Sequence, residues 1–235
     1  MGKEIMSWQE ALKAQAEKAK SQVAKLTQST ATALSFKHGN LRVGGEDLSN
    51  PIEVVILALR GERTWFEDDY DPDNPSPPSC YSFDGETPHP ESADPQSKAC
   101  KDCPWNEFGT KGRGKACKEG GRLALAIVTE EGGLEDDTLQ ARTSVNNTKT
   151  LRSYAERLTG PVFMYSTFIT NQPDPKTQYR LAFRTGKKLV LNETSGPALA
   201  ERVEEAERLL AQPYQKPEGQ PKPKPKAGGV RRSKF

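Results

Sequence analysis

The chain has 235 residues, of which 34% are hydrophobic and 28% charged, and its formal net charge at neutral pH is +2. This length fits one large domain with tails or an inserted module. A membrane-spanning protein is excluded because no apolar run approaches the roughly 18 residues that a transmembrane helix needs. The N-terminal segment is charged and lacks an apolar signal core, which predicts a cytoplasmic location.

The first half of the chain begins with a predicted helix and continues with strands. An amphipathic helix is expected over residues 7–26, where a capping-box pattern precedes apolar residues at spacings of three and four. Segments typical of β structure follow at 33–45 and 51–66. The second of these is almost continuously apolar from Ile52 to Leu59, which predicts a central strand.

The second half contains more strands than helices. The predicted elements there are a strand over 122–130, a helix over 148–159, strands over 161–170 and 179–191, and a last helix over 197–211. Five or six strands with few helices are typical of a small barrel or an α+β sheet that is mainly β. The predicted units are an N-terminal helix over 1–30, a domain over 31–212 with an insertion at 77–121, and a tail over 213–235.

The predicted tail dominates the charge distribution. It contains seven Lys/Arg and one Glu, a net charge of +6, so the remaining residues carry about −4. Its Lys/Pro-rich, low-complexity composition predicts a disordered segment. Because the rest of the chain is slightly acidic, any argument for nucleic-acid binding has to rest on local basic patches.

All four cysteines lie in one loop-like segment, with the spacing Cys80-x19-Cys100-x2-Cys103-x13-Cys117. Cytoplasmic thiols stay reduced, so the cluster predicts a metal site rather than disulfides. Four thiolates in a closed shell suit structural Zn²⁺ and leave no open position for catalysis. His89 is an alternative to Cys80 as fourth ligand, and an iron–sulfur cluster is an alternative to zinc. A redox C-x-x-C pair would need a βαβ context, which this Pro/Gly-rich segment lacks.

The second part of the same segment is basic and contains two aromatic residues. Between Lys98 and Arg122 there are seven Lys/Arg and three acids, a net charge of +4, with Trp105 and Phe108 inside the run. Such a pattern is typical of single-strand binding, because phosphates meet the cations while unpaired bases stack on the rings. The stretch GTKGRGK predicts a mobile backbone. The alternative is that both rings pack against the metal site while the lysines solvate a loop.

These motifs resemble a known family. The pattern SPPSC-x-x-x-DG-x-x-P, followed by C-x-x-C-P-x-N-x-FGT-x-G-x-G-K-x-C, is similar to that of tailed-phage single-stranded-DNA-binding proteins that contain zinc. The resemblance covers roughly residues 35–190 and includes the flanking segments PIEVVILALR, RLALAIV and PVFMYSTFIT. It implies an OB-like barrel with an inserted zinc module and a location in the host bacterial cytoplasm. The basic tail departs from the acidic tail usual for this activity, which puts tail-mediated recruitment of replication proteins in doubt.

The sequence therefore predicts a non-catalytic protein that coats and protects single-stranded DNA in replication and recombination, with structural Zn²⁺ and little sequence preference. Its partners would be single-stranded DNA and, as further candidates, replication proteins. Candidate ring platforms are Trp65, Trp105, Phe108, Tyr165 and Phe168. Candidate phosphate contacts are Lys101, Lys111, Arg113, Lys115, Arg180 and Arg184.

Two other classes of function are rivals to this prediction. A zinc ribbon that docks on a polymerase or another replication or transcription component is the main alternative. A zinc-dependent HNH-type nuclease would need a catalytic histidine beside an acid, and His38 and His89 lie in no such motif. No enzymatic activity is therefore predicted.

Overall fold

The computed structural model describes residues 33–68 and 76–214. The predicted helix over 7–26 and the predicted tail beyond residue 214 lie outside these ranges. Two helices are found in the described ranges, α1 (Val145–Ala155) and α2 (Ser195–Ala211), together with short 3-10 turns. The strands are β1 (Ala33–Ser35), β2 (Arg42–Val43), β3 (Glu46–Asp47), β4 (Ile52–Trp65), β5 (Cys80–Ser82), β6 (Lys118–Ile127), β7 (Leu139–Ser144), β8 (Tyr165–Asp174) and β9 (Gln178–Lys188).

The described strands form one sheet in the order β3-β2-β1-β7-β6-β4-β8-β9, and β5 pairs with the end of β4. Neighbouring strands are antiparallel except β1 and β7, which run parallel. The chain is thus mixed α/β and mainly strand, as its sequence predicts, and the sheet is strongly curled into a half-barrel.

Strand β4 is the centre of this sheet, because it is apolar on both faces. Ile52, Val54 and Ile56 pack on one side, and Val55 and Leu57 pack on the other. All five side chains are at most 4% exposed. A register shift between Ile56 and Ala58 marks a bulge at Leu57, which increases local twist and bends the strand. The predicted central position of this segment is confirmed.

The curl brings distant strands together. Leu34 of β1 and Phe183 of β9 belong to the same buried cluster, although these strands lie far apart in the sheet order. Asn171 of β8 donates through Nδ2 to the Phe36 carbonyl, just after β1, at 2.9 Å. The Asn171 amide in turn donates to Oδ1 of Asn50 at 3.0 Å. These polar contacts satisfy buried groups where the two parts of the sheet approach each other.

The helices cover opposite faces of the sheet. Leu151 and Tyr154 of α1 pack in the cluster that includes Ile52 and Val54. Leu199 and Leu210 of α2 pack in the cluster that includes Val55. The sheet is therefore a central layer between the two helices, and none of the described helices is long and apolar enough to cross a membrane.

Some element boundaries differ from the predictions. Strand β6 begins at Lys118 rather than at residue 122, and α1 begins at Val145 rather than at residue 148. Helix α2 starts at Ser195 rather than at residue 197, and just before it Oδ1 of Asn192 accepts the amides of Thr194 and Ser195, at 2.9 and 2.8 Å. The strand β7 was not predicted at all.

Candidate metal centre and nucleic-acid interface

The cysteine-rich segment is inserted between β4 and β6 and is attached to one end of both strands. Strand β5 pairs with the last residues of β4, with Cys80 opposite Trp65. Strand β6 begins at Lys118, which pairs with Thr64. We call residues 77–117 the cysteine module. Its entry and exit are therefore held by the same end of the sheet.

The four cysteines of this module line one small cavity, together with Arg63. Cys80, Cys100 and Cys103 are buried, and Cys117 is half-buried. Among the described residues, no three His, Cys, Asp or Glu side chains already stand in a metal-binding arrangement. Within this cavity, the position of each cysteine sulfur depends on rotation about a single side-chain torsion.

The chemistry of these donors fits a soft or borderline cation. Burial raises the pKa of Cys80 and Cys100, and it raises the pKa of Cys117 to about 11. The charges of the neighbouring cysteines add to each of these increases. Thiolates crowded into a buried cavity repel one another, and a divalent cation at their centre would remove that repulsion. Four sulfur donors are the set that structural Zn²⁺ uses.

His89 lies outside this set of donors. Its ring stacks on Tyr81, with centroids 4.8 Å apart, and its Nδ1 accepts the amide of Glu91 at 3.2 Å. It is also absent from the lining of the cysteine cavity. Cys80 lines that cavity, so the geometry favours Cys80 over His89 as the fourth donor. His38 lies on an exposed turn in the left-handed region, with φ of 57°.

The DG motif of the module forms a tight turn. Oδ1 of Asp84 accepts the amides of Glu86 and Thr87, at 2.7 and 3.0 Å, and the hydroxyl of Ser82 at 2.7 Å. These hydrogen bonds lower the pKa of Asp84 because they favour its charged form. Gly85 has φ of 76°, a conformation that favours glycine. The turn leads to Glu86, whose carbonyl accepts the amide of Cys100 at 2.7 Å.

Two of the candidate ring platforms stack on each other. The rings of Trp65 and Trp105 have centroids 5.5 Å apart and planes inclined by 23°. Trp65 is buried beneath the module, so little of its ring is available to a base. Trp105 is half-buried, and its Nε1 donates to Oε1 of Gln96 at 2.8 Å. The ring of Trp105 thus has a structural role and also a partly exposed surface.

Phe108 is the candidate platform that the structure exposes most, at 79%. Nζ of Lys115 lies 5.0 Å from the centre of its ring. The stretch after Phe108 forms a hydrogen-bonded hairpin turn. Gly109 and Gly114 are joined by an N–H···O bond of 3.0 Å, and the hydroxyl of Thr110 accepts the amide of Ala116 at 2.8 Å.

The basic candidates of the module lie in the hairpin and in the turn at Cys100–Cys103. Lys101, Lys111 and Arg113 are exposed. Lys115 is half-buried, because its Nζ also contacts Oδ1 of Asn106 at 3.0 Å and Oε1 of Glu119 at 3.8 Å. The module therefore combines one exposed ring with several surface cations.

Arg63 was not among the candidate residues, and it connects the module to the sheet. Its two terminal nitrogens bind Oδ1 of Asn106 at 2.7 Å and Oε1 of Glu119 at 3.0 Å. Nδ2 of Asn106 also donates to the carbonyl of Cys100 at 2.9 Å. Arg63 thereby fixes the C-x-x-C turn relative to β4 and β6. The C-P-x-N part of the sequence motif contains Asn106 and was the one available signal for this contact.

The remaining candidates form a separate group on β8 and β9. Phe168 and Arg184 are cross-strand partners, with the guanidinium carbon 4.1 Å from the ring centre. Arg180 is exposed, and its Nε lies 3.8 Å from Asp174. Tyr165 is buried, and its hydroxyl is 2.8 Å from the hydroxyl of Thr159, so its ring is not offered to solvent.

This second group lies far from the module. Strand β8 pairs with β4 at Ile52–Val55, whereas β5 pairs with β4 at Arg63–Trp65. The centres of the two pairings are about ten residues apart along β4, a contour length of roughly 33 Å. The structure therefore gathers the module candidates and the β8–β9 candidates at opposite ends of β4.

Comparison of the chain with family models, with curated proteins and with solved structures gives no match in any of the three.

Proposed function

We propose that this protein is a non-catalytic single-stranded-DNA-binding protein whose cysteine module is ordered by one Zn²⁺ ion. The curled, mainly β sheet is compatible with the OB-like barrel that the sequence resemblance implies. The observation that carries the proposal is the exposed ring of Phe108 among cations, on a hairpin anchored beside four cysteines. Rings and cations in one surface are what sequence-tolerant binding of a single strand requires.

The metal would act through structure rather than chemistry. Cys80, Cys100, Cys103 and Cys117 would hold the ion, and a four-thiolate shell has no position left for a substrate or a reactive water. The ion would fix the turn at Cys100–Cys103 against Cys117, which follows the basic hairpin in the chain. The zinc site would therefore position Phe108 and its neighbouring cations without touching DNA.

The binding mode can be tested by titrating labelled oligo-dT and duplex DNA of equal length at two salt concentrations. We expect the single strand to bind far more tightly, because a ring can stack only on a base that is already unpaired. Both affinities should fall as salt rises, since binding releases counterions from the phosphates. Equal affinity for the two forms would contradict the proposal. A zinc-loaded protein that binds neither form would favour the alternative of a docking module for a replication component.

The basic C-terminal segment provides a separate test. We expect a truncation after residue 214 to leave the fold intact, because Tyr214 and all residues of both core clusters are retained. The truncation removes the seven Lys/Arg and the one Glu of residues 215–235. Affinity for oligo-dT should then decrease and its salt dependence should become shallower, because fewer counterions are displaced on binding. An unchanged salt slope would mean that this segment does not contact DNA.

A further inference from the structure

Three arginines stand side by side on adjacent strands near the cysteine module. Arg122 of β6 is the direct cross-strand partner of Arg60 of β4 and of Arg142 of β7. We call these residues the arginine row. Like charges directly opposite each other on neighbouring strands destabilise a sheet. The arginine row places like charges opposite each other on two consecutive strand pairs, so a negatively charged partner is needed to offset their repulsion. Local departures of this kind are expected at functional sites.

Part of the compensation comes from side chains of the protein itself. Glu62 is 8% exposed, and its Oε1 lies 3.9 Å from Nε of Arg142. The ring of Phe83 lies 4.9 Å from the guanidinium carbon of Arg122 and 5.4 Å from that of Arg60. Among residues 33–68 and 76–214, Glu62 is the one carboxylate that forms an ion pair with an arginine of the row, Arg142. Three guanidiniums and one carboxylate leave an excess of two positive charges.

The three arginines differ in their surroundings. Arg122 is 7% exposed and donates to the carbonyls of Leu210 and Gln212, at 2.8 and 3.3 Å, so it holds the C-terminal end of α2. Arg60 is half-buried, and the side chain of Arg142 is 54% exposed. The two outer members of the row therefore reach the surface, while the central one is a structural residue.

A ring adjoins two members of the row, Arg142 and Arg122. Tyr214 lies 4.6 Å from the guanidinium carbon of Arg142, measured to the ring centre, and it is half-buried. Its hydroxyl donates to Oε2 of Glu62 at 2.7 Å, which fixes the ring beside the row. Tyr214 was assigned to the tail from the sequence, but it is packed against the sheet. The row thus has the same two components as the hairpin of the module, which are surface cations and a ring.

We propose that Arg60 and Arg142, with Tyr214 beside Arg142, form a second contact strip for the phosphates of single-stranded DNA. This inference rests on the proposed function and adds a site to it. Guanidinium groups match the geometry of phosphate oxygens and keep their charge when partly buried. The bound phosphates would supply the negative charge that the row lacks.

The strip lies on the opposite face of the sheet from Arg63, the residue that holds the C-x-x-C turn. Arg60 and Arg63 are three positions apart on β4, an odd offset, so their side chains point to opposite faces of the sheet. The register of β4 with β6 is continuous from Ala58 to Thr64, so no bulge changes this alternation. Along β6, Arg122 is four residues, or roughly 13 Å, from Lys118 at the edge of the module. Single-stranded DNA that contacts both the strip and the module would pass around the end of the sheet where β6 begins.

The test uses the full-length zinc-loaded protein and labelled oligo-dT over a series of salt concentrations. Arg142→Gln should lower the slope of log affinity against log salt by about 0.7, and the double variant R60Q/R142Q should lower it by about 1.4, since each phosphate contact to a single strand contributes about 0.7. R60K/R142K keeps both charges and should keep most of the slope. Arg42→Gln is the matched control, because Arg42 pairs with Asp47 in the β2–β3 hairpin.

The outcomes separate the two proposals. If the wild-type protein binds oligo-dT and Arg142→Gln has the slope of the Arg42→Gln control, the strip is refuted while the proposed function stands. If the wild-type protein does not bind oligo-dT, both are refuted. Destabilisation alone cannot imitate the expected result, because a purely structural role would change the melting temperature without reducing the number of counterions released. Arg142 is the more exposed member of the pair, so the single variant is expected to fold even if the double variant does not.

Discussion

Cys103→Ser should abolish metal binding and the ordered structure of residues 84–117 of the cysteine module, while the curled sheet and its two core clusters remain folded. The reason is the composition of the module interior. Between Asp84 and Cys117, the fully buried side chains are Ser92, Cys100 and Cys103. Apart from these cysteines, the main apolar burial in this stretch is Trp105, which is half-buried against Trp65. Hydrophobic burial alone therefore contributes little to ordering it. Zinc binding would have to supply the folding free energy, which in small zinc domains is about 10–16 kcal/mol.

Elemental analysis and backbone amide exchange would measure this effect. The wild-type protein purified without chelator should contain one zinc per chain, and C103S should contain little. Amide protection should disappear in residues 84–117 but persist in β4 and β6. Ser97→Ala is a suitable control, because Ser97 lines the same cavity and its replacement removes no thiolate. A wild-type protein with less than about half an equivalent of zinc, or with a coloured iron species, would refute the assignment of the four-thiolate site to zinc.

Several parts of the fold could be predicted because their signals are local. The apolar run of β4 predicted a central strand, and the helix predicted over 148–159 overlaps α1, which buries Leu151 and Tyr154. Strand β7 was missed because its sequence, LQARTS, has only Leu139 as a large apolar residue. Its inward positions are otherwise Ala141 and Thr143, whose small side chains give a weak alternation signal. Burial of this strand depends on neighbours far away in the chain.

The residues of the candidate site, too, could be predicted only where their sequence signal is local. The cysteines were found because their spacing is a local signal, and all four line one cavity in the structure. The stack of Trp65 on Trp105 and the arginine row could not be found from the sequence, since each depends on which residues face each other across strands. Arg60, Arg122 and Arg142 are separated by long stretches of chain, and only the register of β4, β6 and β7 brings them together. A single sequence contains no direct signal for that register.

Trp105 and Phe108 differ in how clearly they can report on stacking with DNA. Trp105→Ala should weaken binding by roughly 1–3 kcal/mol if the ring stacks on a base. The same substitution also removes the stack with Trp65 and the hydrogen bond to Gln96, so part of any loss would reflect the structure of the module. Phe108 is 79% exposed, and truncation of so exposed a side chain has little effect on folding. Phe108 is therefore the better residue for the test.

Phe108→Ala should weaken binding of oligo-dT by roughly 5- to 150-fold, which corresponds to the 1–3 kcal/mol that one stacked base contributes. Phe108→Tyr keeps the ring and should keep the affinity, whereas Phe108→Leu keeps apolar volume but loses the π-face and should behave like the alanine variant. Lys115→Ala should weaken binding less and lower the salt slope by about 0.7, because it removes one cation. Val190→Ala truncates a side chain that is 96% exposed outside the module and should have no effect. Fluorescence titrations of these variants at matched zinc content would measure the differences, and a Phe108→Ala protein with wild-type affinity would refute the assignment of this ring to base stacking.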